Sequence, residues 1–477
     1  MLADISGFTP LTETLVEEFG PARGAEELTG YLNKVYEALI AEVHRHRGSV
    51  IGFSGDAITC WFGDDNGLKS VACALVLQQV MGRFAKAETP AGTSVSLTIR
   101  EVVTAGEARR FRVGDPAIQY MDVLAGAMMD RVAEAEKQAG KGEIILDAET
   151  ADRLADSVTV EWRRKIDTGP RVAIVIGITG PVAATPWPDL PPRVEEEQIR
   201  PWLLPPVYER LKTGQGRLLA ELRPAVSLFL KFGGLDYDQD DAAGERLDAY
   251  IRWVQNVLAR YEGYLIQITT SDKGSYLYAV FGAPLAHDDD AARAVAAALD
   301  LRTPPSDLDF ITGVQIGVSQ GRTWAGIYGG SGRCTYGVLG DEVNVAARLM
   351  ERAEPGQVLV SQRVARATAG RYRFQSLGLV KVRGKKGPVP VFTVLSRQLP
   401  SGPADLFAAP LIERETERAQ LEKALGSVLA GRGQILRVEG EAGIGKSRLA
   451  AELVRRAANC NFRVAIGACQ STMRGVA

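Results

Sequence analysis

A chain of 477 residues is too long for one hydrophobic core and predicts two or three domains. Hydrophobic residues make up 46% and charged residues 24%, as in ordinary globular proteins, and a net charge of −2 implies neither nucleic acid nor an anionic membrane as partner. The five cysteines are scattered, which fits a reducing compartment better than a disulfide framework, and the three histidines (His44, His46, His287) form no metal-ligand spacing.

In chain order, a short apolar strand comes first, with no basic region ahead of Asp4 that would suggest a signal peptide. A helix follows, carrying Leu28, Leu32, Val35, Leu39 and Val43 at three- and four-residue spacing. A hairpin over Val50 to Phe62 ends in Phe62-Gly63 and an acidic helix start. The most apolar run, Val172 to Ala184, contains Gly177, Gly180 and Pro181 and is too short to span a bilayer; it reads as a core strand. A cytoplasmic location is expected.

Eight prolines within 181–206 predict an extended, semi-rigid linker. The pattern of strand, helix and hairpin then returns, with Leu247, Ile251, Val254, Leu258 and Tyr261 on the helix and a hairpin over Tyr264 to Phe281. Phe62 and Phe281 lie 219 residues apart, and Leu124 and Leu339 lie 215 apart, so one unit is read as duplicated. A second seam falls near Pro400 and Pro403. The expected domains are 1–180 and 216–397, joined by a linker over 181–215. A second linker over 398–411 leads to a last domain, 412–477.

The candidate chemistry is divided between the repeats. Asp4 lies in Ala-Asp-Ile-Ser-Gly-Phe-Thr and Asp56 in Phe-Ser-Gly-Asp-Ala. Either aspartate alone would read as a turn residue, but carboxylates on neighbouring strands can share divalent ions. The turn Ser6-Gly7-Phe8-Thr9 offers main-chain N–H groups suited to phosphate. In the second repeat Lys231 stands for Asp4 and Ser275 for Asp56, while Lys273, Asn344 and Arg348 stand where the first repeat has Ser54, Met129 and Ala133. Asn344 and Arg348, four apart, share a helix face. One repeat keeps acids and the other bases, as one shared site and one abandoned site would require.

These motifs resemble the class III nucleotidyl cyclases, in the tandem arrangement of the soluble adenylyl cyclases. The resemblance spans 1–180 and 216–397. It implies an α/β (α+β) chain with two ferredoxin-like βαββαβ domains paired as a pseudo-heterodimer. It assigns Asp4, Asp56 and Ile5 to two Mg2+ or Mn2+ ions, and Asn344 and Arg348 to catalysis, on ribose and on the transition-state phosphate. Nucleotide binding falls to Lys273 at the adenine, to Gly337 and Val338 beside the purine, to Phe8 and Thr9, and to Lys385 on the triphosphate. The implied reaction turns ATP into 3′,5′-cyclic AMP and pyrophosphate by in-line attack of the ribose 3′-oxygen.

Three departures carry consequences. Gly337 provides no side-chain acceptor where the family has Thr or Asp, so a guanylate or non-selective cyclase stays open, and Gly337→Thr is expected to sharpen adenine preference. Gly52 replaces a lysine used in bicarbonate binding, and Arg131 lies near another basic position of that regulatory site. Only three residues precede Asp4, so the true start is expected upstream.

Gly440-Glu-Ala-Gly-Ile-Gly-Lys446-Ser447 is a Walker A motif, with Gly440 and Gly445 shaping the loop, Lys446 for phosphate and Ser447 for magnesium. It is expected to follow an apolar strand, Gln434 to Val438. With 30 residues after Ser447, the module is expected to be truncated and inactive. A third reading makes the paired domains a nucleotide sensor that regulates this ATPase. The expected partners are ATP and the two domains themselves, without nucleic acid or membrane.

Overall fold

The structure, a computed structural model, describes residues 1–163, 170–188, 194–214, 221–270, 274–381, 387–398, 414–439, 445–460 and 462. The chain divides into one compact unit of Met1–Thr368 with Phe374–Val394, which holds both repeats, and a second of Ala369–Arg373 with Leu395–Ala477.

The first repeat opens with β1 (Leu2–Ser6), α1 (Phe8–Arg45), β2 (Gly48–Ser54), β3 (Ala57–Phe62) and α2 (Leu68–Met81). A small hairpin of β4 (Lys86–Glu88) and β5 (Ser94–Ser96) leads to β6 (Thr98–Val103). A second hairpin, β7 (Arg109–Val113) and β8 (Met121–Ala125), precedes α3 (Ala127–Glu136), β9 (Ile144–Asp147) and α4 (Ala148–Arg153). β10 (Val158–Arg163) and β11 (Val172–Ile178) complete a seven-stranded sheet in the order β10-β11-β9-β6-β1-β3-β2. Its β6-β1-β3-β2 portion has the ferredoxin-like order.

α5 (Glu196–Ile199) and α6 (Pro205–Lys212) come before the second repeat. That repeat runs through β12 (Glu221–Gly233), α7 (Ala243–Arg260), β13 (Tyr264–Thr269), β14 (Ser275–Phe281), α8 (Asp290–Leu301) and β15 (Thr312–Gly330). β16 (Arg333–Leu339) folds back on β15 and leads to α9 (Asp341–Arg352), β17 (Val358–Ser361), α10 (Gln362–Ala367), β18 (Tyr372–Val380) and β19 (Val389–Arg397). The sheet order is β13-β14-β12-β15-β17-β19-β18, so the same ferredoxin-like portion recurs as β15-β12-β14-β13. The helices form where apolar residues recur at helical spacing. Leu247, Ile251, Val254 and Leu258 of α7 are all buried, as are Leu32, Val35, Leu39 and Val43 of α1.

Three sequence expectations are corrected. The linker is not simply extended: Pro205 opens α6, where a missing N–H costs nothing, and Leu204 and Val207 pack on Tyr264, Ile266, Ile327 and Tyr336. The apolar run 172–184 is strand only to Ile178, with Ile176 61% exposed. Gln434 to Val438 pairs with no strand among the described residues and leaves Ile435 98% exposed, since a strand needs a hydrogen-bonding neighbour. α11 (Glu415–Leu429) and α12 (Lys446–Asn459) are linked by the Arg456–Glu422 ion pair.

The repeats interlock within their unit. On one side α1 receives the β15–β16 turn: Asn33 Oδ1 accepts from the Gly329 N–H (3.0 Å), and the Ser331 hydroxyl donates to Glu37 (2.7 Å). On the other, α7 receives the β7–β8 turn: Asp248 accepts from Gly114 N–H (2.7 Å) and Gln255 from Asp115 N–H (2.8 Å). Between these grips, Tyr36 and Phe53 of the first repeat pack with Trp324 and Tyr328 of the second; the Phe53 and Tyr328 ring centroids are 5.6 Å apart. Replacing a buried aromatic ring by alanine typically costs about 3–5 kcal/mol. Tyr328→Ala should lower stability by that amount in denaturant unfolding.

Candidate active site

Main-chain register brings the two acids together. β1 lies between β3 and β6, with Asp4 opposite Ala57 on one side and Arg100 on the other. Asp56 ends the β2–β3 turn, and its carbonyl accepts from the Ile5 N–H at 3.0 Å. The Tyr36 hydroxyl donates to the Gly55 carbonyl at 2.8 Å, tying this turn to the aromatic seam. Arg100 Nε donates to Asp4 Oδ2 at 2.6 Å, and the same guanidinium reaches Glu136 at 3.2 Å. Burial first, and the Asp4 charge second, push the Asp56 carboxyl up to about 6.

Gly7, between β1 and α1, has φ 110°. A Cβ there would lie 2.3 Å from the Ser96 carbonyl, so only glycine lets β1 turn directly into α1. No side chain of Gly7 caps α1, which leaves its first-turn N–H groups open to an anion. Phe8 and Ile5 are buried, and neither is among the residues that line the cleft at Asp4 and Asp56.

A cleft of about 670 Å³ is lined by Asp4, Asp56, Arg100 and Glu136 of the first repeat, and by Thr269, Tyr276, Ala347 and Glu351 of the second. Thr270 ties its edge across the repeats by donating to the Leu124 carbonyl (2.6 Å), and Gln267 does so by donating to Ser54 Oγ (2.9 Å). Arg100, Glu136, Gln267 and Thr270 were missed in the sequence. The first two could have been sought as charges facing Asp4; nothing in a linear reading marked the other two.

α9 buries Val345, Ala346, Leu349 and Met350 against its own sheet. Asn344 and Arg348 share its outer side as expected, but neither is among the cleft-lining residues, and the Arg348 side chain has no hydrogen bond or ion pair among the described residues. Val338 is buried. At Gly337 a Cβ would stand 2.8 Å from the Tyr328 ring, so Tyr328 fills the space a side chain would need. Gly337→Thr would therefore have to displace a ring of the seam before it could add a purine contact. Lys273, Lys385 and Gly440 lie outside the described residues, as do the side chains of Thr9 and Ser447. Gly445 and Lys446 stand at the start of α12.

The ladders define the equivalent positions. Asp4 faces Ala57 and Arg100, and Lys231 faces Tyr276 and Gln315, so Lys231 occupies the place of Asp4 and Ser275 that of Asp56. The helix equivalence moves by one residue. α3 and α9 both start directly after a glycine, and Val132 and Ala135 are buried in the phase of Ala346 and Leu349. Asp130 and Glu134, not Met129 and Ala133, therefore stand at the places of Asn344 and Arg348. The first repeat presents an acid where the second presents arginine.

Residues 247–396 match the adenylate and guanylate cyclase catalytic domain family, and residues 410–477 match the AAA ATPase domain family. The chain thus carries a class III nucleotidyl cyclase domain followed by an AAA-type P-loop module. Over 97% of its length it is 26% identical to adenylate cyclase type 10 of Oryctolagus cuniculus, and equally to that of Homo sapiens. It covers 31% of each of these relatives, spanning about a third of their length. An uncharacterized Mycobacterium tuberculosis protein is 36% identical over 30% of this chain and 26% of its own length. Among solved structures, the adenylyl cyclase CyaB from P. aeruginosa aligns with 38% of this chain and 99% of its own, at 20% identity and a TM-score of 0.34.

The carboxyl of Asp56 yields a pH prediction for the protein in chelator. Its folded value, about 6, lies above the ordinary 3.8. The stability associated with its proton is fully present below pH 4 and is lost as pH rises through 6. Asp56→Asn should therefore stabilise the protein above pH 6, by up to about 3 kcal/mol, with the gain vanishing below pH 4. Denaturant midpoints from pH 4 to 7 measure this.

Proposed function

We propose that the two repeats pair as a pseudo-heterodimer and convert ATP to 3′,5′-cyclic AMP and pyrophosphate at one site between them. The observation that carries this reading is the placement of Asp4 and Asp56 side by side in a cleft closed by the second repeat, with Lys231 and Ser275 at the duplicate positions. The name of the adenylate cyclase type 10 relatives favours ATP and this reaction.

The donor set suits Mg2+ or Mn2+. Two carboxylates with main-chain oxygen are what such ions take from protein when substrate phosphates complete the shell. Asp4 and Asp56, with Ile5 through its carbonyl, would hold them. Two bound ions supply acidification of the attacking hydroxyl and neutralisation of the leaving pyrophosphate. Within the chain, the open first turn of α1 at Phe8 and Thr9 receives phosphate oxygens, and Lys385 meets the triphosphate. Asn344 orients the ribose, Lys273 meets the adenine, and Arg348 donates to the charge that develops at phosphorus.

A guanylate or non-selective reading is favoured by one observation: with Tyr328 filling the space at Gly337, that position offers the purine only main-chain groups. No helix among the described residues is long and apolar enough to cross a membrane, and the proposal places the enzyme in the cytoplasm.

Assays of the full chain with ATP and GTP under Mg2+ and Mn2+ test the reaction and the base choice together. Asp56→Asn should abolish turnover. Arg348→Ala should lower kcat by about 10²–10³ with little change in KM, because its partner charge exists mainly in the transition state. Near-normal rates in Asp56→Asn would overturn the two-metal site; a pure KM effect in Arg348→Ala would remove the arginine from the chemistry.

A further inference from the structure

Arg100 holds the carboxylate that the two-ion reading assigns to a divalent ion. Both of its contacts to Asp4 end on Oδ2, Nε at 2.6 Å and a terminal nitrogen closer still, and that same terminal nitrogen reaches Glu136 Oε1 at 3.2 Å. The three side chains are only part-exposed (30%, 14% and 37% for Arg100, Asp4 and Glu136), so solvent screens them incompletely. All three line the cleft with Asp56. The arrangement follows the acids and not the fold. In the second repeat Gln315 takes the place of Arg100 opposite Lys231, and by the phase of α3 and α9 Met350 takes that of Glu136.

We propose that Arg100 competes with the divalent ion for Asp4, and that Glu136 is the acceptor to which the guanidinium withdraws when the ion binds. The inference rests on the two-carboxylate site of the preceding section. Without an ion, Asp4 and Asp56 are like charges held together by the backbone, and Arg100 neutralises one of them. A dication at Asp4 repels the guanidinium and takes the same oxygen's lone pairs, so one cation must leave. Arg100 need not enter water, because one of its nitrogens already rests on Glu136, one strand and one helix away from Asp4. The withdrawn guanidinium stays in the cleft, positioned beside incoming phosphate. Arg100 is thus a positioning residue that keeps the site intact when empty and sets the ion concentration at which it fills.

Mn2+ binding to the full chain without nucleotide, followed by electron paramagnetic resonance, tests this apart from turnover. Arg100→Gln, the residue the second repeat tolerates at the same place, should bind Mn2+ about tenfold more tightly than wild type. Glu136→Gln, on a part-exposed helix face, should bind about threefold more weakly, and should have little effect in the Arg100→Gln background. Unchanged or weaker binding in Arg100→Gln, while Asp56→Asn loses the ion, would overturn the competition alone. Equal effects of Glu136→Gln in both backgrounds would reduce Glu136 to a distant charge and overturn its role. Wild-type protein that takes up no Mn2+, or Asp56→Asn that binds as wild type does, would overturn the two-carboxylate reading and this inference with it.

Discussion

Two carboxylates are held side by side by hydrogen bonds that neither can escape, and the cleft is organised around that constraint. Asp4 is pinned by ladders to β3 and β6, and Asp56 by its own carbonyl's bond to Ile5. Burial first, and the neighbouring Asp4 charge second, raise the cost of ionising Asp56, which is why it keeps its proton to about 6. The cost is offset by a cation. Arg100 supplies one from the facing strand, and the uncapped start of α1 adds a positive end nearby.

The same constraint reaches the other repeat through Tyr36. Its ring belongs to the aromatic seam with Phe53 and Tyr328, and its hydroxyl holds the carbonyl just before Asp56. The position of the second acid thus depends on packing between repeats as well as on its own hairpin. Each repeat also uses its long helix to grip a turn of the other, Asn33 and Glu37 in one direction and Asp248 and Gln255 in the other. Two reciprocal grips around a shared core resist sliding more than either could alone, because a shift that relaxes one strains the other.

Divergence after duplication is visible at single positions. Where β1 carries an acid, β12 carries lysine; where α9 carries arginine, α3 carries Glu134, engaged with Lys137 at 2.7 Å. Opposite signs at matched positions prevent the second location from assembling the charges of the first. Ser275 there is bonded instead to the Tyr237 hydroxyl at 2.8 Å, an ordinary structural contact.

The sequence by itself determined the duplication, the helices with their buried stripes, both hairpins, the pairing of Asp4 with Asp56 and their replacement by Lys231 and Ser275. All of these are local patterns, in which periodicity and turn chemistry act within a few residues, repeated at a constant spacing. Only the tertiary structure decided what lies across a gap in the chain. Arg100 meets Asp4 although 96 residues separate them, because a strand's neighbour is chosen by topology. A constant offset from Leu124 and Leu339 points to Met129 and Ala133, whereas the burial phase of α3 and α9 picks out Asp130 and Glu134. Gly337 looked like a missing side chain, yet its space is taken by a ring from the neighbouring strand. The proline-rich linker folded in part because α6 found apolar surface on the second repeat, and 434–438 made no strand because a strand is stable only beside a hydrogen-bonding partner.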